Sequence, residues 1–431
     1  MQKLSTITLG CSKNKVDTEH ILSHVEDLYE IIPEGEDIPV DVLLINTCGF
    51  IGDAKEESVQ AVLEAVERKN AGEVGKVIVF GCLSQRYMHE LPDLIPEVDG
   101  WFGARDFDPV IKALGAEPSE AKRAERYLTT PSHYAYLKIS EGCDRRCSYC
   151  AIPFIRGGHK SVPIEKLVAE AESLAAKGVK ELIVIAQDTT YYGIDLYGKR
   201  MLAELLRRLC RIEGIEWIRL HYAYPAEFPD EVIEVMATEK KICKYLDIPF
   251  QHISDNQLSA MLRRHTKAEA MELVRKLRTA IPDLALRTTL LVGYPGETEA
   301  DFEELCDFVR EVRFERLGVF PYSEEEGTYS ATRLQDDVPE EVKQQRAERI
   351  MQLQQRIAAE LNAERVGRTE RVIIDQRQGD FYVARSQYDS PEVDQEILIP
   401  TDGGRLYKGR FYKVTITAAE EYDLYGEVVR A

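Results

Sequence analysis

Residues 141–150 read Glu-Gly-Cys-Asp-Arg-Arg-Cys-Ser-Tyr-Cys and place three cysteines, Cys143, Cys147 and Cys150, on one short loop. Four thiolates complete a cubane iron–sulfur cluster, so three thiolates leave one iron open to bind something else. A structural zinc site would need a fourth Cys or His close by, and the nearest histidine, His159, lies in a Gly-rich stretch further along the chain. The spacing therefore favours a catalytic cluster over zinc or coincidence.

Three more cysteines, Cys11, Cys48 and Cys82, stand at the ends of apolar, β-branched runs. Helical patterns separate these runs, which predicts parallel strands, and the carboxyl ends of parallel strands line one edge of a sheet, where ligands bind. We therefore expect the three thiols to converge there and hold a second cluster. The alternative is three buried core cysteines, since free Cys packs as a small hydrophobe. The runs are residues 4–9, 42–46 and 77–80.

The length and composition predict a folded protein of two or three domains. A chain of 431 residues is too long for one simple core. Its 44% hydrophobic and 30% charged residues are typical of soluble globular proteins, and no apolar run is long enough to predict a membrane span. The N-terminus lacks the apolar core of a signal peptide, and the cysteine spacings suit a reducing compartment, so we expect a cytoplasmic protein. The remaining cysteines, which we assign to the core, are Cys210, Cys243 and Cys306.

The order of elements predicts an α/β protein with three parts. Alternating strands and helices, the helices at about 17–30 and 55–70, predict an N-terminal open parallel α/β domain over 1–130, ending in a polar linker at 116–133. Six strand–helix steps then predict a central partial (β/α)6 barrel over 131–366. The six strands are expected at 134–139, 181–186, 217–222, 245–250, 286–292 and 316–320.

The C-terminal part begins with a long charged helix. Pro339 opens this helix, which runs to about Glu364 and lacks a sustained heptad, so we expect it to bridge domains rather than form a coiled coil. From about Gly367 the pattern changes to short alternating strands with a turn at Gly403-Gly404. This pattern predicts a small antiparallel β-barrel over 367–431.

The loop motif, with Tyr149 before its last cysteine, resembles that of radical S-adenosylmethionine enzymes. Three strand-end cysteines in a preceding domain and a small β-barrel behind resemble the methylthiotransferases within that superfamily, and this resemblance covers essentially the whole chain. It implies a TRAM-like C-terminal barrel and, as cofactors, two 4Fe–4S clusters and S-adenosyl-L-methionine. The cofactors would carry the difficult chemistry, and the protein would position them and exclude water.

The resemblance also implies a division of labour between the two clusters. The cluster on Cys143, Cys147 and Cys150 would bind S-adenosylmethionine and cleave it to a radical that takes hydrogen from an unactivated C–H bond. The cluster on the three N-terminal cysteines would deliver the methylated sulfur to the substrate. The two clusters should then face each other across the domain interface. No catalytic residue is predicted beyond the cluster ligands.

Residues around S-adenosylmethionine follow from the same resemblance. Gln187 and Asp188 follow the second central strand, where the superfamily binds the methionine amino group, although a polar turn would explain them equally. Residues 292–298 resemble the family's adenine-side loop; alternatively, Thr298 caps the next helix through Asp301. His252 is assigned a structural role rather than that of a base. The predicted cofactor contacts are Tyr149, Gln187, Asp188, Val292, Gly293 and Glu297.

The substrate is expected to be an aspartate of small-subunit ribosomal protein uS12, modified at its β-carbon. The amino-acid sequences of residues 9–17 and 142–150 resemble the corresponding motifs in the ribosomal-protein branch of the family. The chain has a net charge of −20, and residues 368–431 contain twelve acidic and nine basic residues. This acidic balance suits a basic protein partner and disfavours direct nucleic-acid binding. Alternatives are methylthiolation of a transfer-RNA adenosine and a non-catalytic iron–sulfur sensor. An enzyme of this kind implies a flavodoxin- or ferredoxin-type electron donor.

Overall fold

The computed structural model describes residues 1–36 and 38–429, so residues 430 and 431 of the expected C-terminal barrel lie outside the described residues. Within that part of the chain, the sheets are a five-stranded open sheet, a six-stranded open sheet, a closed five-stranded barrel and a two-stranded ribbon. This confirms the predicted α/β class with a C-terminal barrel. In the same residues, no helix is both long and apolar enough to cross a membrane.

The N-terminal sheet is parallel, with helices on both faces. Its elements are β1 (Gln2–Thr8), α1 (Ser12–Val25), β2 (Tyr29–Ile32), β3 (Val40–Thr47), α2 (Gly52–Asn70), β4 (Val74–Gly81), α3 (Cys82–Arg86), α4 (Leu91–Leu94), β5 (Gly100–Trp101) and α5 (Asp108–Ala113). The strand order is β2-β1-β3-β4-β5. In β4, Val77 and Val79 pack on one face and Ile78 and Phe80 on the other. Both faces are thus apolar, as a parallel sheet covered by helices requires.

The first helix differs from its predicted position. It begins at Ser12 rather than near residue 17, because Cys11 adopts an extended N-cap conformation immediately before it. The polar side chains of Lys13 and Asn14 hid this first turn, yet both are buried in the structure. The expected end near residue 30 is also wrong, because Tyr29 already belongs to strand β2. The short edge strand β5 was not predicted either.

The central sheet contains the six predicted strands, all parallel, in the order β13-β12-β11-β10-β9-β6. Consecutive strands of this set are neighbours in the sheet, which is the strand order expected of a partial barrel, and the main apolar core lies between the sheet and its helices. Its elements are β6 (Tyr134–Lys138), β7 (Ser140–Glu141), α6 (Ile152–Arg156), β8 (Lys160–Ser161), α7 (Ile164–Ala176), β9 (Glu181–Ile185), α8 (Ile194–Tyr197), α9 (Leu202–Cys210), β10 (Trp217–Leu220), α10 (Asp230–Thr238), β11 (Ile242–Asp247), α11 (Asp255–Ala260), α12 (Lys267–Ala280), β12 (Ala285–Val292), α13 (Glu299–Val312), β13 (Arg316–Pro321) and α14 (Tyr329–Arg333).

Two connecting features position the site. Strands β7 and β8 form a short antiparallel ribbon that brackets the loop carrying Cys143, Cys147 and Cys150. The segment expected to be a linker is firmly attached, since the buried Arg126 pairs with Glu19 of α1 at 3.0 Å and with Glu170 of α7 at 2.8 Å. The N-terminal and central sheets are therefore joined by a buried ion-pair network as well as by the chain.

The last helix and the barrel lie beside the central sheet. Helix α15 (Glu340–Ala363) packs on β13 and α13 and reaches the barrel, where Asn362 donates to two backbone carbonyls. The expected bridging helix is thus present. The barrel is antiparallel except for one parallel pair, β16 with β18. Its strands are β14 (Thr369–Gln378), β15 (Phe381–Ser386), β16 (Ile397–Pro400), β17 (Phe411–Ala419) and β18 (Leu424–Val428).

Candidate functional site

The three N-terminal cysteines follow neighbouring strands of one sheet. The strand order reverses between β1 and β3, and such a switch point opens a crevice at the carboxyl edge. Cys11 lies in the loop after β1, Cys48 directly follows β3, and Cys82 directly follows β4. A Cβ atom on Gly10 would lie only 2.8 Å from Cys48 Sγ, so the loop carrying Cys11 passes directly beside this thiol.

These thiols are close enough to affect one another's ionisation. Burial raises the pKa of Cys82 to about 11, Arg156 opposes the shift, and negative charge on Cys11 and Cys48 adds to it. Burial likewise raises the pKa of Cys48, with Cys11 again contributing. Without a metal the thiols of Cys48 and Cys82 therefore stay protonated at neutral pH. Metal binding must therefore displace their protons, as it does at thiolate sites generally.

The second set of cysteines lies at the carboxyl edge of the central sheet. Gly142 has φ +73°, and a Cβ atom there would lie 2.2 Å from the carbonyl oxygen of Gly158, so only glycine fits at the entrance of the loop. Burial raises the pKa of Cys143 to about 12, with Cys147 contributing. Burial also raises the pKa of Cys150, and both other thiols contribute. The three thiols of the loop therefore form one electrostatic group.

Arg156 connects the two sets of cysteines. It ends α6, the helix that follows Cys150, and its Nε donates to Cys82 Sγ at 3.2 Å. The same guanidinium donates to Asp17 Oδ2 at 2.7 Å and to Asn14 Oδ1 at 2.6 Å, both on α1. Cys82 also packs in a small buried cluster with Ala151 and Ile155. The two carboxyl edges thus meet directly.

Arg156 was not predicted as a site residue from the sequence. Its partners lie far away in the chain, and a single arginine after a cysteine loop carries no periodicity that would single it out. Glu141 completes the same network through Arg156 and Lys138, at 3.2 and 2.8 Å. Burial alone would raise the pKa of Glu141, but the charges of Lys138 and Arg156 lower it to about 2. This carboxylate is therefore ionised throughout the physiological range.

The residues present fit iron–sulfur clusters better than single metal ions. Among the described residues, no group of three or more His, Cys, Asp or Glu side chains is arranged to hold one ion. A cubane does not need such convergence, because each thiolate binds a different iron. Arg145 Nη2, Arg263 Nε and Gln187 Oε1 are buried without a hydrogen-bond partner in the described structure. Buried polar atoms of this kind are normally satisfied, which fits a bound polar group.

The structure ties Gln187 and Asp188 to the cysteine loop. Gln187 Nε2 donates to Glu141 Oε1 at 2.7 Å. The other atom of this amide, Gln187 Oε1, has no partner in the described structure and could accept from another donor. Asp188 accepts from Arg145 Nε at 2.6 Å, and it also caps the following turn by accepting from the Thr190 amide at 2.9 Å. Asp188 therefore positions Arg145 inside the loop. Direct contact of either residue with S-adenosylmethionine stays a prediction.

The loop after β12 packs against Tyr149 of the cysteine loop. The Tyr149 ring packs edge-on against Tyr294, with centroids 6.4 Å apart. Within the loop, the Gly293 amide donates to Glu297, which also binds His252 at 3.0 Å and Arg346 at 2.7 Å. Glu297 and His252 are thus engaged in holding the loop. Val292 ends its strand, and its carbonyl accepts from the Tyr322 amide. The cofactor contacts predicted for Tyr149, Val292, Gly293 and Glu297 stay predictions.

Two other expectations about side chains are confirmed. Thr298 caps α13 through a reciprocal pair of hydrogen bonds with Asp301. Cys243 and Cys306 are buried in two separate apolar clusters, and Cys210 is partly buried against the cluster that contains Cys306. The thiols outside the two sets are thus packing residues.

The barrel surface is not uniformly acidic. An open groove on it is lined by Arg377, Arg405 and Lys408 together with the exposed Tyr407. The overall excess of acidic residues in the barrel does not describe this face. The prediction that nucleic acid is not bound directly stays a prediction.

Comparison with known proteins agrees with the three-part architecture. Residues 3–103 match the uncharacterized protein family UPF0004, residues 137–309 match the radical SAM superfamily, and residues 366–429 match the TRAM domain. Among solved structures, the radical S-adenosylmethionine methyltransferase TsrM from Kitasatospora setae superposes with a TM-score of 0.57 over 74% of this chain and 71% of that chain, at 15% identity. At this identity the likeness shows the fold alone.

Curated relatives are much closer in sequence. The ribosomal protein uS12 methylthiotransferase RimO of Bacteroides fragilis is 52% identical over 99% of both chains. The enzyme of that name from Christiangramia forsetii is 53% identical over 99% of this chain and 94% of its own length. The one from Flavobacterium johnsoniae is 53% identical over 99% of this chain and 98% of its own length.

The family match and the curated relatives place the chain among radical S-adenosylmethionine enzymes of the methylthiotransferase class. Within that class, the chain belongs to the family of ribosomal protein uS12 methylthiotransferases, RimO. Membership implies a 4Fe–4S cluster and S-adenosylmethionine as cofactors. The relatives do not favour the transfer-RNA alternative.

Proposed function

We propose that this protein inserts a methylthio group at the β-carbon of an aspartate in ribosomal protein uS12, using two 4Fe–4S clusters. The observation that carries the proposal is the direct contact between the two carboxyl edges, where Cys82 packs against the helix that follows Cys150. A substrate carbon held at this junction would lie between the two sets of cysteines. The uS12 specificity is supported by ribosomal protein uS12 methylthiotransferases that are 52–53% identical to this chain.

Each set of cysteines would hold one cluster, and each cluster would supply one part of the chemistry. When bound, a cluster on Cys143, Cys147 and Cys150 with S-adenosylmethionine supplies hydrogen-abstracting radical chemistry, and a second cluster on Cys11, Cys48 and Cys82 supplies the methylthio sulfur. In this proposal, six residues form or support the pocket for S-adenosylmethionine: Tyr149, Gln187, Asp188, Val292, Gly293 and Glu297.

The chain's own residues hold this arrangement. Arg156 donates to Cys82 Sγ and to Asp17, which fixes the N-terminal cysteines against the central sheet. Hydrogen bonds to cluster sulfurs and nearby positive charge raise a cluster's tendency to accept an electron. Arg156 and the partly buried Lys138 both pair with Glu141, so this carboxylate enters the junction with its charge compensated.

The enzyme requires an electron from a donor, which we propose to be a flavodoxin or ferredoxin of low potential, and we propose that it works in the cytoplasm. A reduced protein donor fits a site whose cysteines are only partly exposed or buried.

Activity with purified components tests the proposed function. Anaerobically reconstituted protein, reductant, S-adenosylmethionine and uS12 should yield 5′-deoxyadenosine and uS12 carrying one methylthio group on an aspartate, detected by peptide mass spectrometry. Protein with a full complement of iron that cleaves S-adenosylmethionine but leaves uS12 unmodified would overturn the choice of substrate. Fully loaded, reduced protein that forms no 5′-deoxyadenosine would support a non-catalytic sensor instead.

A further inference from the structure

Lys13 is a buried cation at the junction of the two sheets. It lies in the first turn of α1, two residues after Cys11, and is only 8% exposed. Its ammonium reaches across to the central sheet, where Nζ lies 3.5 Å from the carbonyl oxygen of Ala186 and 3.4 Å from the centroid of the Tyr222 ring. Ala186 and Tyr222 follow β9 and β10, so Lys13 points at the carboxyl edge of the central sheet.

The Lys13 ammonium is not paired with a carboxylate. No Asp or Glu oxygen among the described residues lies within 4.0 Å of its Nζ, although buried lysines are almost always paired. The neighbouring cations of the junction differ, since Lys138 and Arg156 each bind both Asp17 and Glu141. An ammonium has three donors, and Lys13 uses them for one long bond to a carbonyl and for an aromatic face. It therefore has capacity for a further acceptor.

The surroundings of Lys13 are arranged for a ligand. Tyr222 adopts φ +56°, a conformation that costs free energy for a residue other than glycine and that recurs at functional sites. Beside Ala186, the buried Gln187 Oε1 has no hydrogen-bond partner in the described structure. Gln187 also donates a hydrogen bond to Glu141, and Glu141 directly precedes the loop that carries Cys143. Lys13 thus lies between one set of cysteines and the start of the other.

We propose that Lys13 binds the side-chain carboxylate of the target aspartate and so determines the specificity of the enzyme. This inference rests on the proposed function. The reacting β-carbon is bonded directly to the carboxylate carbon, so a cation that holds the carboxylate also fixes the β-carbon between the two sets of cysteines. Lys13 is already desolvated in the folded protein, so binding has to desolvate only the substrate carboxylate, and the new ion pair offsets that cost.

An amide in place of the carboxylate keeps the shape of the substrate but loses the charge. A hydrogen bond to a charged group contributes about 1.5–3 kcal/mol, which corresponds to roughly a tenfold to hundredfold preference in binding. The structure therefore predicts that the enzyme binds uS12 at least about tenfold more tightly than uS12 in which the target aspartate is replaced by asparagine.

The test compares these two forms of uS12 on four proteins. Dissociation constants are measured anaerobically on reconstituted wild-type protein, Lys13→Met, Lys13→Gln and Lys15→Met, each with its iron content determined. Lys15 provides the matched control, because it lies on the same helix but is paired with Glu392 at 2.9 Å. The wild type and Lys15→Met should prefer the aspartate form, and both Lys13 variants should bind the two forms about equally.

Several results would overturn the inference. Equal binding of both forms by the wild type would do so without any variant, as would a Lys13 variant with full iron content that keeps the preference. A loss of affinity that is the same for both forms would show that Lys13 only supports the fold or the cofactors. The proposed function fails separately, if the wild type leaves uS12 unmodified in the activity assay.

Discussion

Arg156 shows how a single residue can join two sites. Its guanidinium donates to Cys82, Asp17, Asn14 and Glu141, and it is 4% exposed. A buried guanidinium is tolerated only when its donors find partners. These partners come from the N-terminal sheet, from α1 and from the entrance of the cysteine loop, so Arg156 is satisfied only when these parts are assembled.

Substitution of one N-terminal cysteine should separate the two chemistries. We expect Cys48→Ala to abolish methylthiolation of uS12 while some cleavage of S-adenosylmethionine continues, because the loop with Cys143, Cys147 and Cys150 is untouched. Chromatography of 5′-deoxyadenosine and mass spectrometry of uS12 measure the two reactions. Cys210→Ala is the control, since Cys210 lies outside both sets and should leave both reactions intact. A folded Cys48→Ala protein without any cleavage would contradict the division of labour.

At the scale of single residues, the sequence predicted the thiols but not what surrounds them. Cysteines are rare, and their spacing carries chemical meaning, so six candidate ligands could be chosen from nine. Lys13 and Arg156 could not be chosen, because nothing in a local pattern distinguishes a buried charged residue from a solvated one. Their burial depends on contacts between distant segments, such as Arg156 with Asn14.

Among the secondary-structure elements, long periodic segments were predicted well and short ones were not. All six central strands were found, and the helix opened by Pro339 runs over Glu340–Ala363 as expected. The ribbon of β7 and β8 was missed because two-residue strands have no periodicity to detect. The start of helix α1 was predicted too late in the chain. Its first turn faces the central sheet rather than the core of the N-terminal domain, so the side chains buried there are polar and show no apolar pattern.

The entrance of the cysteine loop should tolerate only glycine. Gly142→Ala places a Cβ atom 2.2 Å from a backbone oxygen in a left-handed conformation, so the loop must move. We expect iron bound per reconstituted protein to fall to roughly half, since one of two four-iron sites is lost. Gly198→Ala is the control, because Gly198 is also left-handed but has nothing within 4 Å of the added atom.

Comparing the two variants separates the effect of the close contact at Gly142 from the free-energy cost of a left-handed alanine. A left-handed alanine alone costs about 1–2 kcal/mol, which the control shares. Full iron loading of Gly142→Ala, with normal spectra at both sites, would show that the loop adapts and that the close contact has no functional role.

At the scale of the whole molecule, buried ion pairs attach the barrel to the central sheet. Glu181 at the start of β9 binds Arg219 of β10 at 2.7 Å and Arg385 of β15 at 2.9 Å. All three side chains are buried. Removing one partner from such a group leaves uncompensated charge in a medium of low polarity. The barrel should therefore be held rigidly against the sheet.

Glu181→Gln should weaken this attachment. We expect the free energy of unfolding to fall by about 3–5 kcal/mol, measured by urea titration, with faster proteolysis near residue 366. Glu216→Gln is the control, because Glu216 also joins the central part to the barrel, through Arg371 at 2.9 Å, but both side chains are 46% exposed. An exposed pair contributes about 0.2–1 kcal/mol. Equal losses in the two variants would contradict a role for burial.

The same interface should respond to acid through His221. Burial lowers the pKa of His221 to about 3, although Asp247 acts in the opposite direction, and its ring bonds Ser390 of the barrel segment at 2.9 Å. The unfolded chain has a histidine pKa of about 6.5, so the contribution of His221 to stability is complete above that pH and is lost as the pH falls towards 3.

Replacing His221 should therefore flatten the acid response. We expect the free energy of unfolding of cluster-free His221→Gln to depend less on pH below about 6.5 than that of the parent, in urea titrations at several pH values. The exposed His89→Gln variant should follow the parent. An unchanged slope in His221→Gln would show that another group causes the loss of stability.

Mass spectrometry of a strain that lacks this gene tests the central claim most directly. Ribosomal protein uS12 and transfer-RNA nucleosides are compared with those of the parent strain. If uS12 is the substrate, a methylthio group disappears from one aspartate of uS12 while the nucleosides stay the same. An unchanged aspartate together with the loss of a methylthio-adenosine would contradict it.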